Sequence, residues 1–211
     1  MGSHLCDALV ALGENVTVLD NLSSGKRQNI RDTLKSKKIK FILGDCKNSR
    51  DVRKAVSEAD VVYHFAANPE VRLSLADPAT SFRENIYATH VLLEAIRKSD
   101  VNRIVFASTS TVYGDAKVVP TPEDYAPMEP ISVYGASKLG SEALITAYCR
   151  TYHKTAIVLR LANIVGPRSE HGVISDFVKK LKANSRRLEI LGDGHQKKSY
   201  LHVEDCVNAI L

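Results

Sequence analysis

The sequence predicts an α/β fold, a doubly wound parallel sheet with helices on both faces. Three observations carry this expectation. Five short runs rich in β-branched residues recur along the chain, separated by segments of helical period. The runs are mostly apolar rather than strictly alternating, as strands buried on both faces are. Two of the intervening segments, 78–98 and 132–153, are long and amphipathic.

Taken in order, the chain opens in a helix, 3–12, stopped by Gly13. The strand runs are 16–20 (VTVLD), 39–43 (IKFIL), 60–66 (DVVYHFA), 102–108 (NRIVFAS) and 155–161 (TAIVLRL). A helix over 49–57 is expected to start on Ser49 as its N-cap. In the helix over 78–98, Phe82, Ile86, Tyr87, His90, Leu93 and Ile96 or Arg97 follow the three-four spacing of one apolar face. In the helix over 132–153, Ala136, Leu139, Ala143, Leu144 and Ala147 do so. Residues 118–130 hold four of the seven prolines and read as a surface loop beside the carboxyl edge of the sheet. The last residues, 203–211, read as a helix cut in mid-course. A domain of this class that starts in a helix reads as one lacking its first strand.

Composition narrows the function classes. The chain has 211 residues, 44% hydrophobic and 25% charged, which excludes collagenous and disordered chains. No stretch approaches the roughly 20 apolar residues of a membrane span. Residues 5–12 are apolar but carry Asp7 and lack a basic flank, which argues against a signal peptide. The four cysteines, Cys6, Cys46, Cys149 and Cys206, form no C-x-x-C pair and read as reduced core thiols of a cytoplasmic protein. The histidines show no metal-binding spacing, so no metal is expected, and His64, in an apolar strand, reads as a satisfied core residue. The charge of +5 is modest and spread out. It suits mild attraction to an anionic small molecule such as a nucleotide, and no nucleic-acid-binding motif accompanies it.

Two sets of residues carry chemistry. Asp20 ends the first strand run. An acid there in a dinucleotide-binding unit accepts hydrogen bonds from the adenosine ribose hydroxyls and repels a 2′-phosphate, favouring NAD. Such an acid lies about 20 residues after a glycine-rich turn, the distance at which Gly2 stands. Read alone, Asp20 is equally a turn or capping acid, and Gly2 an ordinary start-site residue. Tyr134 and Lys138 form Y-x-x-x-K, four residues apart on one helix face. A lysine ammonium beside the phenol is expected to lower the tyrosine pKa and give a base near neutral pH. The bland reading is a surface pair. The hydroxyl cluster Ser108-Thr109-Ser110-Thr111 ends the preceding strand and could bond a substrate oxygen, or be a polar strand exit.

Over essentially the whole chain the stretches GSHLCDAL, VTVLDNLSSG, FILGDCKN, VVYHFAA, FASTSTVYGD, SVYGASKLGSE, LRLANIVGPR and LGDGHQKKSYLHVEDC run in the order of one family. The sequence resembles the extended short-chain dehydrogenase/reductases, and within them the UDP-glucose 4-epimerase-like, NAD-dependent epimerase/dehydratase enzymes. The resemblance implies a Rossmann-type NAD-binding domain over 1–161 and the start of a sugar-nucleotide-binding region, interleaved with it, over 162–211. It implies that Gly2 is the last glycine of the phosphate-binding turn. Asp20 and Asn21 would hold the adenosine ribose, with Ser23, Ser24 and Gly25 beside it, and Asp45 and Cys46 would flank the adenine. Phe65, Ala66 and Ala67 would line the strand exit next to the pyrophosphate and nicotinamide ribose, with Asn85 supporting the pocket.

Thr109, Tyr134 and Lys138 would form the catalytic set, Lys138 also bonding the nicotinamide ribose. Ser110, Thr111, Asn163 and Lys198 would face the UDP-sugar. The relatives that dehydrate at C5 and C6 carry acidic residues where Ser110 and Thr111 stand, so 4-epimerisation of a UDP-hexose is the implied reaction. A 4,6-dehydratase or reductase, or a non-catalytic NAD-binding chain, are the alternatives. Thr109 replaces a common serine and keeps its hydroxyl; Leu161 replaces an aromatic residue common beside the cofactor. His202 matches a structural position, and Glu204–Asp205 are expected to cap the last helix. The resemblance also implies a homodimer through the helices 78–98 and 132–153.

Overall fold

The structure, a computed structural model, describes residues 1–69, 76–169 and 172–211. Helix α1 (Gly2–Ala11) precedes β1 (Val16–Asp20) and β2 (Ile39–Leu43), which pair in parallel. Helix α2 (Ser49–Val56) leads to β3 (Val61–His64). Helix α3 (residues 78–97) and β4 (Arg103–Thr109) follow, then α4 (Val133–Thr151) and β5 (Thr155–Leu161). Strands β3, β4 and β5 form a second parallel ladder in that order. A third ladder pairs β6 (Asn163–Val165) with β7 (Tyr200–His202), with α5 (Val173–Ala183) between them and α6 (Val203–Ile210) after. Every ladder is parallel, so every connection is a crossover, which is the expected α/β architecture of Rossmann type.

The core lies between α2, α3, α4 and the sheet. Val52, Leu93, Ile96, Val101, Ile104, Phe106 and Ile145 are its fully buried members. Leu19 of β1 and Val62 of β3 both pack against this cluster, so the first two ladders share one core.

Several elements differ from the sequence expectation. The N-cap of α2 is Asn48, not Ser49: its side chain accepts from the Arg50 and Asp51 amides. That satisfies two of the donors a helix start leaves open. Strand β3 stops at His64, because Phe65–Ala67 leave the ladder at the sheet edge. In α3, residues Phe82–Tyr87 form a π-helical turn. Its wider turn shifts the register of the face. Phe82 and Tyr87, expected inside, are therefore exposed, and Asn85, Ala88 and Thr89 are buried instead.

Helix α4 departs further. Ala136, Ala143 and Ala147 of the expected inner stripe are exposed. The buried face carries Ser137, Lys138, Ser141, Glu142, Ile145 and Cys149. The last helix is capped by His202, whose ring accepts from the Glu204 amide, while Glu204 and Asp205 occupy the first turn, where their charge suits the helix dipole.

Candidate active site

The strands of a parallel sheet all point their carboxyl ends to one edge, and the predicted residues collect there at two stations. The first is the exit of β1 and β2. Asp20 Oδ1 accepts from the Leu22 amide at 2.7 Å, which turns the chain after the strand. Gly25 closes that turn: a Cβ there would stand 2.7 Å from Asp20 Oδ2, so only glycine lets the loop lie against the carboxylate. Asn21 accepts from the Ser23 amide and donates to Asp45 Oδ2 at 3.1 Å, joining the two strand exits. Lys47 donates to Asp45 at 2.9 Å and to Glu84 of α3 at 2.7 Å. Lys47 and Asn21 hold the Asp45 carboxyl below its ordinary pKa against the opposing effect of burial. Burial first, then Asp45 and Asp20, push the Cys46 thiol up to about 11, so it is a neutral lining group. Ser24 lies exposed in the loop before Gly25. Gly2 starts α1, exposed, with open space where a Cβ would be.

The second station is the exit of β3 and β4 against α4. Thr109 ends β4 and caps a 3-10 turn, Ser110–Tyr113, its hydroxyl accepting from the Thr111 amide at 3.2 Å. Ser132 caps α4 through the Gly135 amide at 3.0 Å. Gly135 admits the loop: a Cβ there would lie 3.0 Å from the Thr111 carbonyl oxygen. That approach sets Tyr134 near Thr109, whose side chain favours the phenolate. Lys138, one turn on, is buried, with Nζ 4.1 Å from the centre of the Phe106 ring.

Electrostatics here differ from expectation. Burial pushes the Tyr134 phenol up, and the nearby Thr109 side chain opposes it only in part. The lowering expected from Lys138 does not appear, because the ammonium is turned onto Phe106 of β4. Burial also drives Lys138 down to about 8, against the pull of Glu142. Its ammonium therefore titrates close to neutral pH.

A buried polar network lies behind the station. Asn85, on the π-helical turn, accepts from the Asn68 amide at 2.9 Å and donates to Ser137 Oγ at 2.8 Å. It thereby ties the loop after Phe65, Ala66 and Ala67 to α4. Thr89 donates to the Asn85 carbonyl at 2.6 Å and pairs with His64 Nε2 at 2.9 Å. Desolvation drives His64 down to about 3, so it is the neutral core residue expected. Among the described residues no buried side-chain nitrogen or oxygen lacks a partner. Asn163 lies on β6, its side-chain amide donating to the Ser199 carbonyl at 3.1 Å, beside exposed Lys198. Ser110 and Thr111 are exposed next to Thr109.

The sequence reading did not name Glu142, Arg160 or Lys47. Glu142 continues the spacing Y-x-x-x-K-x-x-x-E along one helix face, which is the signal that could have found it. The described residues contain no group of acidic, histidine or cysteine side chains fit to hold a metal. No helix among them is long and apolar enough to cross a membrane.

A parallel sheet with an acid at its first exit and a tyrosine–lysine helix at its centre defines a dinucleotide-dependent enzyme. Comparison with known proteins places it more closely. The family profile described as "NAD dependent epimerase/dehydratase family" matches residues 1–211. A putative UDP-glucose 4-epimerase of Methanocaldococcus jannaschii is 35% identical over 218 residues, covering 100% of this chain and 69% of that protein. The crystal structure of a UDP-galactose 4-epimerase, 48% identical, superposes with a TM-score of 0.87 over 99% of this chain and 66% of that one. A dTDP-glucose 4,6-dehydratase from Streptomyces venezuelae, solved with NAD bound, is 30% identical with a TM-score of 0.92, over 99% and 67% of the two chains. The chain spans about two thirds of the length of these relatives. The chain belongs to the NAD-dependent epimerase/dehydratase family, and NAD is its cofactor.

Proposed function

We propose that this chain carries the 4-epimerisation of a UDP-hexose of the UDP-glucose and UDP-galactose kind. The observation that supports it is the reaction station: a half-buried phenol beside the Thr109 hydroxyl, a buried lysine one turn away, and only hydroxyls at the two positions after Thr109. NAD, when bound, would supply the acceptor and then the donor of the C4 hydride. Tyr134 takes the C4 hydroxyl proton in the oxidation and returns it in the reduction, so no atom is gained or lost. Thr109 orients the phenol and the sugar oxygen. Lys138, one turn on along the same helix face, is the cation we assign to the phenolate, a role it takes once its ammonium turns from Phe106. Asp20 and Asn21 receive the adenosine ribose: the Asp20 carboxylate lies at the strand exit, and its charge repels a 2′-phosphate. Gly2, Ser23, Ser24, Gly25, Asp45, Cys46, Phe65, Ala66, Ala67 and Asn85 line the remainder of the cofactor's path. Ser110, Thr111, Asn163 and Lys198 meet the UDP-sugar.

We divide the chain into a cofactor domain, 1–161, and a sugar-nucleotide region, 162–211. The exposed face of α3 and α4, with Phe82, Tyr87, Ala136 and Ala143, is the surface we assign to a homodimer. A cytoplasmic location fits the four free thiols. A 4,6-dehydratase is the second reading, favoured by the TM-score of 0.92 to such an enzyme. The 48% identity to an epimerase and the hydroxyls of Ser110 and Thr111, in place of an acid, favour the first. NMR and mass analysis of the product from UDP-glucose in heavy water decides between them. The proposed reaction gives UDP-galactose of unchanged mass with no deuterium on carbon; loss of water with deuterium at C5 would assign dehydration.

A further inference from the structure

One ion pair at the reaction station has no place in the steps above. Glu142 of α4 is 5% exposed and accepts from Arg160 of β5, from Nη2 at 2.9 Å and from Nε at 3.2 Å. Ser108 of β4 donates to the same carboxylate. Arg160 donates through Nη1 to the Tyr113 hydroxyl at 3.1 Å and to the Glu123 carbonyl at 2.8 Å, with its guanidinium 5.0 Å over the Tyr113 ring. The pair thus joins the last turn of β4, the 3-10 turn carrying Ser110 and Thr111, the loop at 118–130, β5 and α4. Those are the elements that place Thr109 against Tyr134. On α4 itself, Tyr134, Lys138 and Glu142 recur every four residues, so they share one face.

Removing either partner of a buried pair leaves an uncompensated charge, which is costly. Such a pair needs a reason to sit beside a buried lysine. We propose that Glu142 and Arg160 are positioning residues, which lock the Thr109 loop onto α4 and keep Lys138 in its cationic form for the reaction. This rests on the reading of Tyr134 and Lys138 as the catalytic pair.

The groups facing Lys138 support the assignment. From β4 the Phe106 ring meets Nζ, and from β3 comes His64, which is neutral. From α3 the neutral Asn85 and Thr89 meet the flanking Ser137 and Ser141; His90 bonds Tyr148, and Glu94 is held by Arg97 and Tyr148. From β5 comes Arg160, with its charge spent on Glu142. Glu142 is the acid that raises the affinity of Lys138 for its proton, against the larger effect of burial.

The test is a comparison of the protein with Glu142→Gln and Glu142→Asp. Two readouts are taken: the pH profile of kcat with UDP-glucose, and the titration of Lys138 Nζ followed by 15N NMR, which needs no turnover. We expect Glu142→Gln to move the Lys138 midpoint, and the alkaline limb of kcat, down by about one pH unit. Glu142→Asp keeps the charge and restores most of the limb. If Glu142→Gln fails to fold because Arg160 is left unpaired, the double variant Glu142→Gln/Arg160→Met removes both charges, and the same downward shift is expected. A Lys138 midpoint unchanged in the folded variants, with kcat lowered equally at every pH, would overturn the proposal and leave a structural pair. Should the unmutated protein not epimerise UDP-glucose, the proposed function fails by itself, and the Nζ titration still judges the coupling.

Discussion

The two stations on the sheet edge are built in opposite ways. At the exit of β1 and β2, Asp20, Asn21 and Asp45 are partly or fully open to solvent and organised by backbone turns. At the exit of β4, Lys138 and Glu142 are buried, with Ser108, Ser137 and Asn85 behind them. The difference follows from the work. Recognising a ribose needs an acceptor that can exchange water for hydroxyls, so exposure costs nothing. Moving a proton needs groups whose charge is felt strongly, which a low-dielectric setting provides.

That contrast predicts effects of different kind and size. Replacing Lys138 by Met removes the cation at the buried station. Turnover is expected to fall about 10²–10⁴-fold, with a melting temperature no lower than that of the unmutated protein, since burial opposes the charge.

The buried station also makes stability depend on acid. His64 titrates near 3 in the fold and near 6.5 when unfolded. Between those values the unfolded chain binds more protons, so stability rises with pH across the window and is lost as pH falls through it. The contribution is up to a few kcal/mol. Urea unfolding at pH 7 and pH 4 is expected to show a slope that His64→Gln flattens.

At the open station, Asp20→Ala should weaken NAD by roughly 10–100-fold, the worth of hydrogen bonds to a charged group. It should also relax the preference against a 2′-phosphorylated dinucleotide, with little change in melting temperature; calorimetry with both cofactors measures this. The smallest effect belongs to Asn48→Ala, away from both stations: loss of the α2 cap costs about 1 kcal/mol and leaves NAD affinity and turnover as they were.

The same contrast explains what the sequence made legible. Strands β1, β2 and β5 fall on the bounds read from their apolar runs, which polar and turn residues delimit, although each is only partly buried and β4 alone is buried along nearly its whole length. The Tyr134–Lys138 spacing and Asp20 were visible for a similar reason, since each sits at a position the fold repeats. The faces of α3 and α4 were misread because hydropathy ranks alanine above serine, lysine and glutamate. In α4 the hydrogen-bonded polar residues go inside and the alanines outside. No local pattern reveals that Ser108 and Arg160 will both bond Glu142, across 34 and 18 residues of chain. Strands β6 and β7 have three residues each, too few to show a period, and α5 was passed over with them.

Tyr134 is the group assigned to move the C4 proton. The direct measurement is the rate of UDP-glucose and UDP-galactose interconversion by Tyr134→Phe, in a protein shown to bind NAD as before. A fall of at least about 100-fold is predicted. Interconversion at the unmutated rate would contradict the assignment of this station as the site of reaction.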